Sequence, residues 1–366
     1  MELAKRLRGD APLCPETLYL YLHGCSIGVR SNSAQLMEQL RHYFGHVSGA
    51  AGEMDMEVAA IECEQPQLGI EFIDWQREPG KSGRKDSYFD LDKARLVRKV
   101  RTGMVFLQSE QLRIAAGPCI ENDNQVINFI NAQYMNWLQH RDWLICHAAG
   151  LVHQNRALAI AGFSGGGKST LMLHLLGQGD MQYMTNDRLF IRHSDTQVEA
   201  AGIPKLPRIN PGTIVHNPAL HSLISPQLRD ELLALPGDEL WHIEDKYDVY
   251  IDAVFGEHRI AQSASLGAVL ILNWSLDAAE PLQVQTIDLR SRRELLSAIM
   301  KSPGPFYQYP DGNFLMDTTT IDDSPYLAAL DGITVYEATG RIDFDALSAF
   351  CLDNILVASA SRSSRS

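Results

Sequence analysis

Residues 162 to 169 read Gly-Phe-Ser-Gly-Gly-Gly-Lys-Ser, a complete G-x-x-x-x-G-K-[ST] run, and few eight-residue stretches restrict a fold so strongly. Such a run forms a phosphate-binding loop only where a buried strand leads in and a helix leads out. Successive backbone N–H groups and the positive helix end then face a single anion. Both flanks are present: Ala157 to Ala161 is an apolar run of strand length, and Ser169-Thr-Leu-Met-Leu-His-Leu-Leu has the helical pattern. Gly162, Gly165, Gly166 and Gly167 clear side chains from the turn, with Ser164 among them and Thr170 at the start of the helix. Lys168 is placed to reach β/γ phosphate oxygens, and the Ser169 hydroxyl to ligate Mg²⁺.

The chain has 366 residues, 45% hydrophobic and 21% charged, enough for two domains with cores of their own. Its net charge of −13, from 45 acidic against 32 basic residues, argues against a nucleic-acid partner, which needs a basic footprint. The six cysteines lie far apart with no C-x-x-C pair, so we expect reduced thiols and a cytoplasmic protein. The basic N-terminus has no apolar signal segment, and the apolar runs are strand-sized, so no membrane span is expected.

The expected fold class is α/β, α+β overall, in two domains. Residues 1–140 read as an α+β domain of unknown role. Its strands are expected at Thr17–Leu22, Glu57–Glu62 and Leu68–Ile73, its helices after a Ser33 cap and from Asp123 to Leu138, and an exposed loop at 77–85. Residues 141–357 read as the nucleotide-binding domain on a mixed sheet. It opens with a strand from Trp143 to Val152, a turn at His153–Arg156 and the strand into the loop. The next helix stops at Gly177 and Gly179, and Tyr183–Ile191 follows as a strand interrupted by Asn186-Asp187. The proline-rich stretch 202–218 reads as a rigid irregular loop. Further strands are expected at Val249–Ile251, Gly267–Asn273 and Ile333–Tyr336, and helices at Ser291–Met300 and Phe344–Cys351. The Ser/Arg-rich tail 358–366 is expected to be disordered, and there is no internal repeat.

A phosphate loop alone implies nucleotide binding, not a reaction. The chain has neither the N-K-x-D and D-x-x-G motifs of a GTPase nor the separate L-S-G-G-Q of an ABC ATPase. His140-Arg-Asp142 imitates a eukaryotic kinase catalytic loop, but His147 stands where that motif needs Asn. The pattern of 147–191 is more specific. His147 opens a strand fifteen residues before Gly162, the loop reads G-x-S-G-x-G-K-S, Gly179 ends the helix, and Asn186-Asp187 follows on the next strand. This stretch resembles HPr kinase/phosphorylase, bacterial protein-serine kinases whose nucleotide domain is related to PEP carboxykinase.

The resemblance implies a kinase domain with a mixed sheet that uses ATP and Mg²⁺. Lys168 and the loop amides would hold the phosphates, and Ser169 and Asp187 would share the metal. His147 would orient the acidic residue or touch phosphate, and the acceptor hydroxyl would give its proton to Asp187 or to the position held by Asn186. Two departures stand out: Asn186 replaces the family's first acidic residue, and 202–213 replaces its glycine-rich HPr-docking segment. Lys205 and Arg208, in that replacement, are candidates for binding the acceptor or the γ-phosphate. The acceptor is expected to be a hydroxyl of a protein Ser/Thr or of a small molecule. A nucleotide-binding regulator with little turnover is the alternative, and a homo-oligomer is left open.

Overall fold

In a computed structural model the described residues are 2–76, 83–163, 165–243 and 245–356. Part of the expected loop at 77–85, Ser164 and the tail 358–366 therefore lie outside them. The chain divides into two compact units, Met1–Trp143 with Ser302–Ile321, and Leu144–Lys301 with Asp322–Ser366.

The first unit is built on nine strands: β1 (Leu18–Leu22), β2 (Cys25–Ser31), β3 (Ser48–Gly49), β4 (Met56–Glu62), β5 (Ile73–Asp74), β6 (Asp86–Leu91), β7 (Ala94–Lys99), β8 (Val105–Ser109) and β9 (Arg113–Gly117). Their order in the sheet is β3-β1-β2-β4-β9-β8-β7-β6-β5. β2, β4 and β9 run parallel, and β9 to β5 form an antiparallel meander. In β1, Leu18, Leu20 and Leu22 turn inward, whereas Tyr21 is exposed, as strict alternation requires. Both faces are covered in the middle of the sheet. Val105 and Leu107 of β8 pack with Ala4 and Leu7 of α1 (Glu2–Arg8). Phe106 between them meets Phe129 and Phe306 on the other face, at centroid distances of 5.0 and 5.5 Å. Phe129 belongs to the long helix α3 (Asp123–Gln139); α2 (Ala34–Tyr43) is capped by Ser33, whose hydroxyl accepts the Leu36 N–H at 3.2 Å.

The second unit holds β10 (Leu144–Cys146), β11 (Ala148–His153), β12 (Arg156–Gly162), β13 (Gln182–Thr185), β14 (Leu189–His193), β15 (Val198–Gly202), β16 (Arg208–Ile209), β17 (Tyr247–Asp248), β18 (Ser263–Leu272), β19 (Gln283–Ile287) and β20 (Thr334–Thr339). β11 and β12 form a hairpin whose turn residues, Gln154 and Asn155, both have positive φ, the two-residue geometry that matches strand twist. β12, β18 and β20 are parallel neighbours. The ten-residue β18 forks the sheet, pairing first with β15 and then with β20. The helices are α4 (Lys168–Leu176), α5 (Pro211–Val215), α6 (Pro226–Leu233), α7 (Gly237–His242), α8 (Ile251–Phe255), α9 (Ser324–Ala329) and α10 (Phe344–Phe350).

Several expectations need correction. Of Leu68–Ile73 only Ile73 enters a strand, the two-residue β5: Gly69 has φ +66°, and the Arg6 guanidinium satisfies the carbonyls of Gln67 and Leu68 at 2.8 and 3.1 Å. Leu68, Ile70 and Phe72 still pack on the α1 core, so the pattern reports burial and not ladder pairing. Trp143–Val152 is two strands, not one. Cys146 pairs with Leu189 and Ala148 with Ala161, so the chain changes partner at His147. Val249–Ile251 is the junction between β17 and α8. The 202–218 stretch contains the short helix α5, and Ser291–Met300 winds as a 3-10 turn over Arg293–Ala298.

Candidate active site

Strand direction assembles the site. β11 is antiparallel to both β12 and β13, so β13 runs with β12, as β18 and β20 do. The carboxyl ends of these four strands, Gly162, Leu272, Thr339 and Thr185, therefore lie at one edge, where open α/β sheets bind ligands. Phe163, Gly165–Gly167, Trp274 and Asn186-Asp187 leave from those ends, and His147 enters there.

The loop is glycine-rich for steric reasons. Gly165 and Gly167 have φ of +79° and +82°, a region that side chains disfavour. A Cβ on Gly167 would also lie 2.6 Å from the Phe344 ring, whereas one on Gly165 would meet nothing within 4 Å. The Gly166 carbonyl accepts the Trp274 indole N–H at 2.8 Å, and the indole packs edge-on against Phe344 at 5.1 Å. Lys168 is buried, and its Nζ donates to the carbonyls of Gly162 and Phe163 at 2.9 and 3.4 Å. Burial pulls its pKa down to about 8, Asp187 opposing this and Lys301 adding to it. A desolvated ammonium among carbonyls, beside an N-terminal helix end, suits an incoming polyphosphate.

Asp187 lies at the centre of the second cluster. His147 Nε2 is 3.1 Å from its Oδ1, and Lys301 Nζ is 3.3 Å from its Oδ2. Backbone pairing brings these groups together: the His147 N–H donates to the Ile299 carbonyl at 2.6 Å, and Met300 bridges to Cys146. The Thr185 hydroxyl closes the turn by donating to the Arg188 carbonyl at 3.1 Å. Burial pushes the Asp187 carboxyl up, but the His147 hydrogen bond, Lys301 and the charges of His147 and Arg188 outweigh it. The group is held well below the usual carboxylate range. The Asn186 Oδ1 is buried without a hydrogen-bond partner.

The structure thus brings Lys168, Asp187 and His147 into one electrostatic neighbourhood, with Asn186 on the same turn. Ser169 follows Lys168 on the first turn of α4. Thr170, expected at the nucleotide, instead shares a hydrogen bond of 2.9 Å with the Thr213 hydroxyl of α5. Arg208 pairs with Asp248 across the antiparallel β16–β17 pair at 3.0 Å. Lys205 is anchored through its carbonyl, which accepts from the Tyr183 hydroxyl of β13. Two partners carry no sequence signal: Lys301 and Trp274 come from segments without motifs, 114 and 108 positions from Asp187 and Gly166. Of the residues expected to hold a cation, Ser169 would offer a hydroxyl and Asp187 a carboxylate. That set suits Mg²⁺, which keeps water and phosphate oxygens as ligands. Among the described residues no group of three or more His, Cys, Asp or Glu could hold a metal, and no helix is long and apolar enough to cross a membrane.

No family model and no curated protein matches the chain. Among solved structures it is similar to the Hpr(Ser) kinase/phosphatase from Coxiella burnetii, at 13% identity and a TM-score of 0.29, over 57% of this chain and 88% of that one.

Proposed function

We propose that this chain is an ATP-dependent phosphotransferase of the HPr-kinase-like type that delivers the γ-phosphate to a hydroxyl, most plainly that of a protein Ser or Thr. The observation that carries the reading is the shared field of Lys168 and Asp187, with Asp187 clamped between His147 and Lys301. Phosphoryl transfer passes through a loose transition state, so positioning and charge neutralisation supply most of the catalysis. Lys168 and the loop amides hold the β and γ phosphates. Mg²⁺ between Ser169 and Asp187 would offset charge on the same oxygens. His147, fixed through its backbone, orients the Asp187 carboxylate. A carboxylate held this far below its usual range is a weak base, so Asp187 positions the acceptor hydroxyl and receives its proton late.

The test is incubation with γ-labelled ATP and Mg²⁺ in source-cell lysate, followed into protein and metabolite fractions, with Lys168→Ala as control. Lysine-dependent label in a protein band supports the reading, and label in a metabolite redirects it to a small-molecule kinase. A second reading, a nucleotide-binding regulator, is favoured by one observation: both Asp187 oxygens are engaged by basic groups, and Asn186 offers no base beside them. ATP binding with no labelled acceptor in any fraction would favour it.

A further inference from the structure

Resting on the phosphate-transfer reading, we infer that Lys301 is the residue that recognises the γ-phosphate, exchanging Asp187 Oδ2 for a phosphate oxygen when nucleotide enters. Three observations support the assignment. The first is the contrast between the two partners of Asp187. His147 holds the shorter contact, 3.1 Å, from a short imidazole side chain on a backbone fixed to Ile299, whereas Lys301 reaches the carboxylate at the end of a long side chain. The Lys301 contact of 3.3 Å exceeds the 2.7–2.9 Å of a strong charge-assisted hydrogen bond. Its backbone is nevertheless pinned. Met300 bridges to Cys146, and the Tyr326 hydroxyl donates to the Ile145 carbonyl at 2.6 Å while also bonding to the Lys301 backbone. A fixed root with a loosely held tip is what a partner exchange needs.

The second observation is charge. Lys168 and Lys301 face one carboxylate, with Arg188 also bearing on it, so the site holds more positive than negative charge. An anion is the complement of that excess, and a terminal phosphate carries more charge than the carboxylate it would replace. The third is consequence. Releasing Oδ2 leaves Asp187 held by His147 alone of the two, with one oxygen open for the acceptor or the metal. Charging of the site and freeing of the carboxylate would then be one event.

The test compares MgATP and MgADP binding, by nucleotide titration of the purified full chain, for wild type, Lys301→Met, Lys301→Arg and the double variant Asp187→Asn/Lys301→Met. Lys301→Met should lose at least about tenfold in MgATP affinity and less than about threefold in MgADP affinity, because ADP has no γ-phosphate. Lys301→Arg should recover most of the loss. The double variant should stay weak for MgATP, because the phosphate contact is still missing. Equal losses for both nucleotides, or full recovery in the double variant, would mean that Lys301 merely screens Asp187, and would overturn the assignment. A wild-type chain that binds both nucleotides, with Lys301→Met unchanged, overturns this inference alone. A wild-type chain that binds neither overturns the phosphate-transfer reading and this inference together. Melting curves for Lys301→Arg confirm that the fold is intact at the position.

Discussion

The Trp274 indole N–H and the Gly166 carbonyl are joined at 2.8 Å, tying the segment after β18 to the middle of the glycine loop. The bond holds one peptide of the loop in a fixed orientation, and the ring itself rests on Phe344. Trp274→Phe removes the donor and keeps most of the packing. It should cost about 1 kcal/mol of stability, the usual value of one hydrogen bond. MgATP affinity should fall by several-fold, because the loop must then be ordered at the moment of binding. Thermal melting and nucleotide titration separate the two effects.

If Lys168 holds phosphate as proposed, it sets the pH dependence of nucleotide binding. Its pKa in the folded chain is about 8, lowered from 10.5 chiefly by burial. Phosphate binding needs the ammonium, so MgATP affinity should be flat below pH 8 and fall about tenfold per unit above it. Lys168→Arg should abolish that slope. Without nucleotide the sign reverses. The depressed pKa means that the fold bears the cost of a buried charge at pH values below about 8, and this cost is relieved as pH rises from 8 to 10.5. Relative to Lys168→Met, wild type should therefore gain roughly 3 kcal/mol across that window. Chemical denaturation of both proteins at about pH 7 and about pH 11, either side of the window, checks this.

Arg95 fastens the 302–321 segment to its own unit. It is fully buried, forks onto both Asp90 oxygens at 2.5 and 2.9 Å, and donates to the carbonyls of Pro305 and Leu315 at 3.2 and 2.8 Å. The rings of Tyr88 and Phe314 lie at 4.5 and 4.7 Å from its guanidinium carbon. Arg95→Leu strands the two carbonyls, while the exposed Asp90 carboxylate returns to water, and should cost about 2–4 kcal/mol. Arg95→Lys should rescue little, since a point charge cannot serve both the fork and the carbonyls. The checks are denaturant titration and limited proteolysis, with the first new cut expected within 302–321.

What could be read beforehand was local. The loop glycines, Lys168, the β1 alternation and the Ser33 cap each act over fewer than ten residues, and the structure has them where pattern alone put them. The Asp187–His147 contact came from a resemblance in spacing, with no physical signal of its own. Lys301 was invisible because its approach to Asp187 depends on the bridge between Met300 and Cys146, set by sheet topology. Leu68–Ile73 misled for a related reason. Side-chain alternation records a buried face, but only a partner strand makes a ladder, and Arg6 takes that partner's place.

Under the proposed phosphotransfer, Asn186 is the residue expected to limit turnover. Its Oδ1 is buried without a partner, beside a carboxylate that two basic groups hold charged. An amide there cannot accept the acceptor's proton, and Asp187 is too weak a base to do so early. Asn186→Asp would place a second carboxylate against the first. Like charges on adjacent residues of one half-buried turn raise one of the two pKa values, giving a base closer to neutrality while the other keeps its charge. We expect Lys168-dependent phosphate release or acceptor labelling to rise by about ten- to a hundredfold, within the range of general-base assistance. MgATP affinity should change by less than about threefold, because Lys168 and the loop are untouched. Steady-state assays of wild type and Asn186→Asp, each with a Lys168→Ala control, decide the matter. A rise in turnover at constant affinity identifies the amide as the brake on a transferase. Unchanged turnover, with affinity intact, places the limit elsewhere and strengthens the regulator reading.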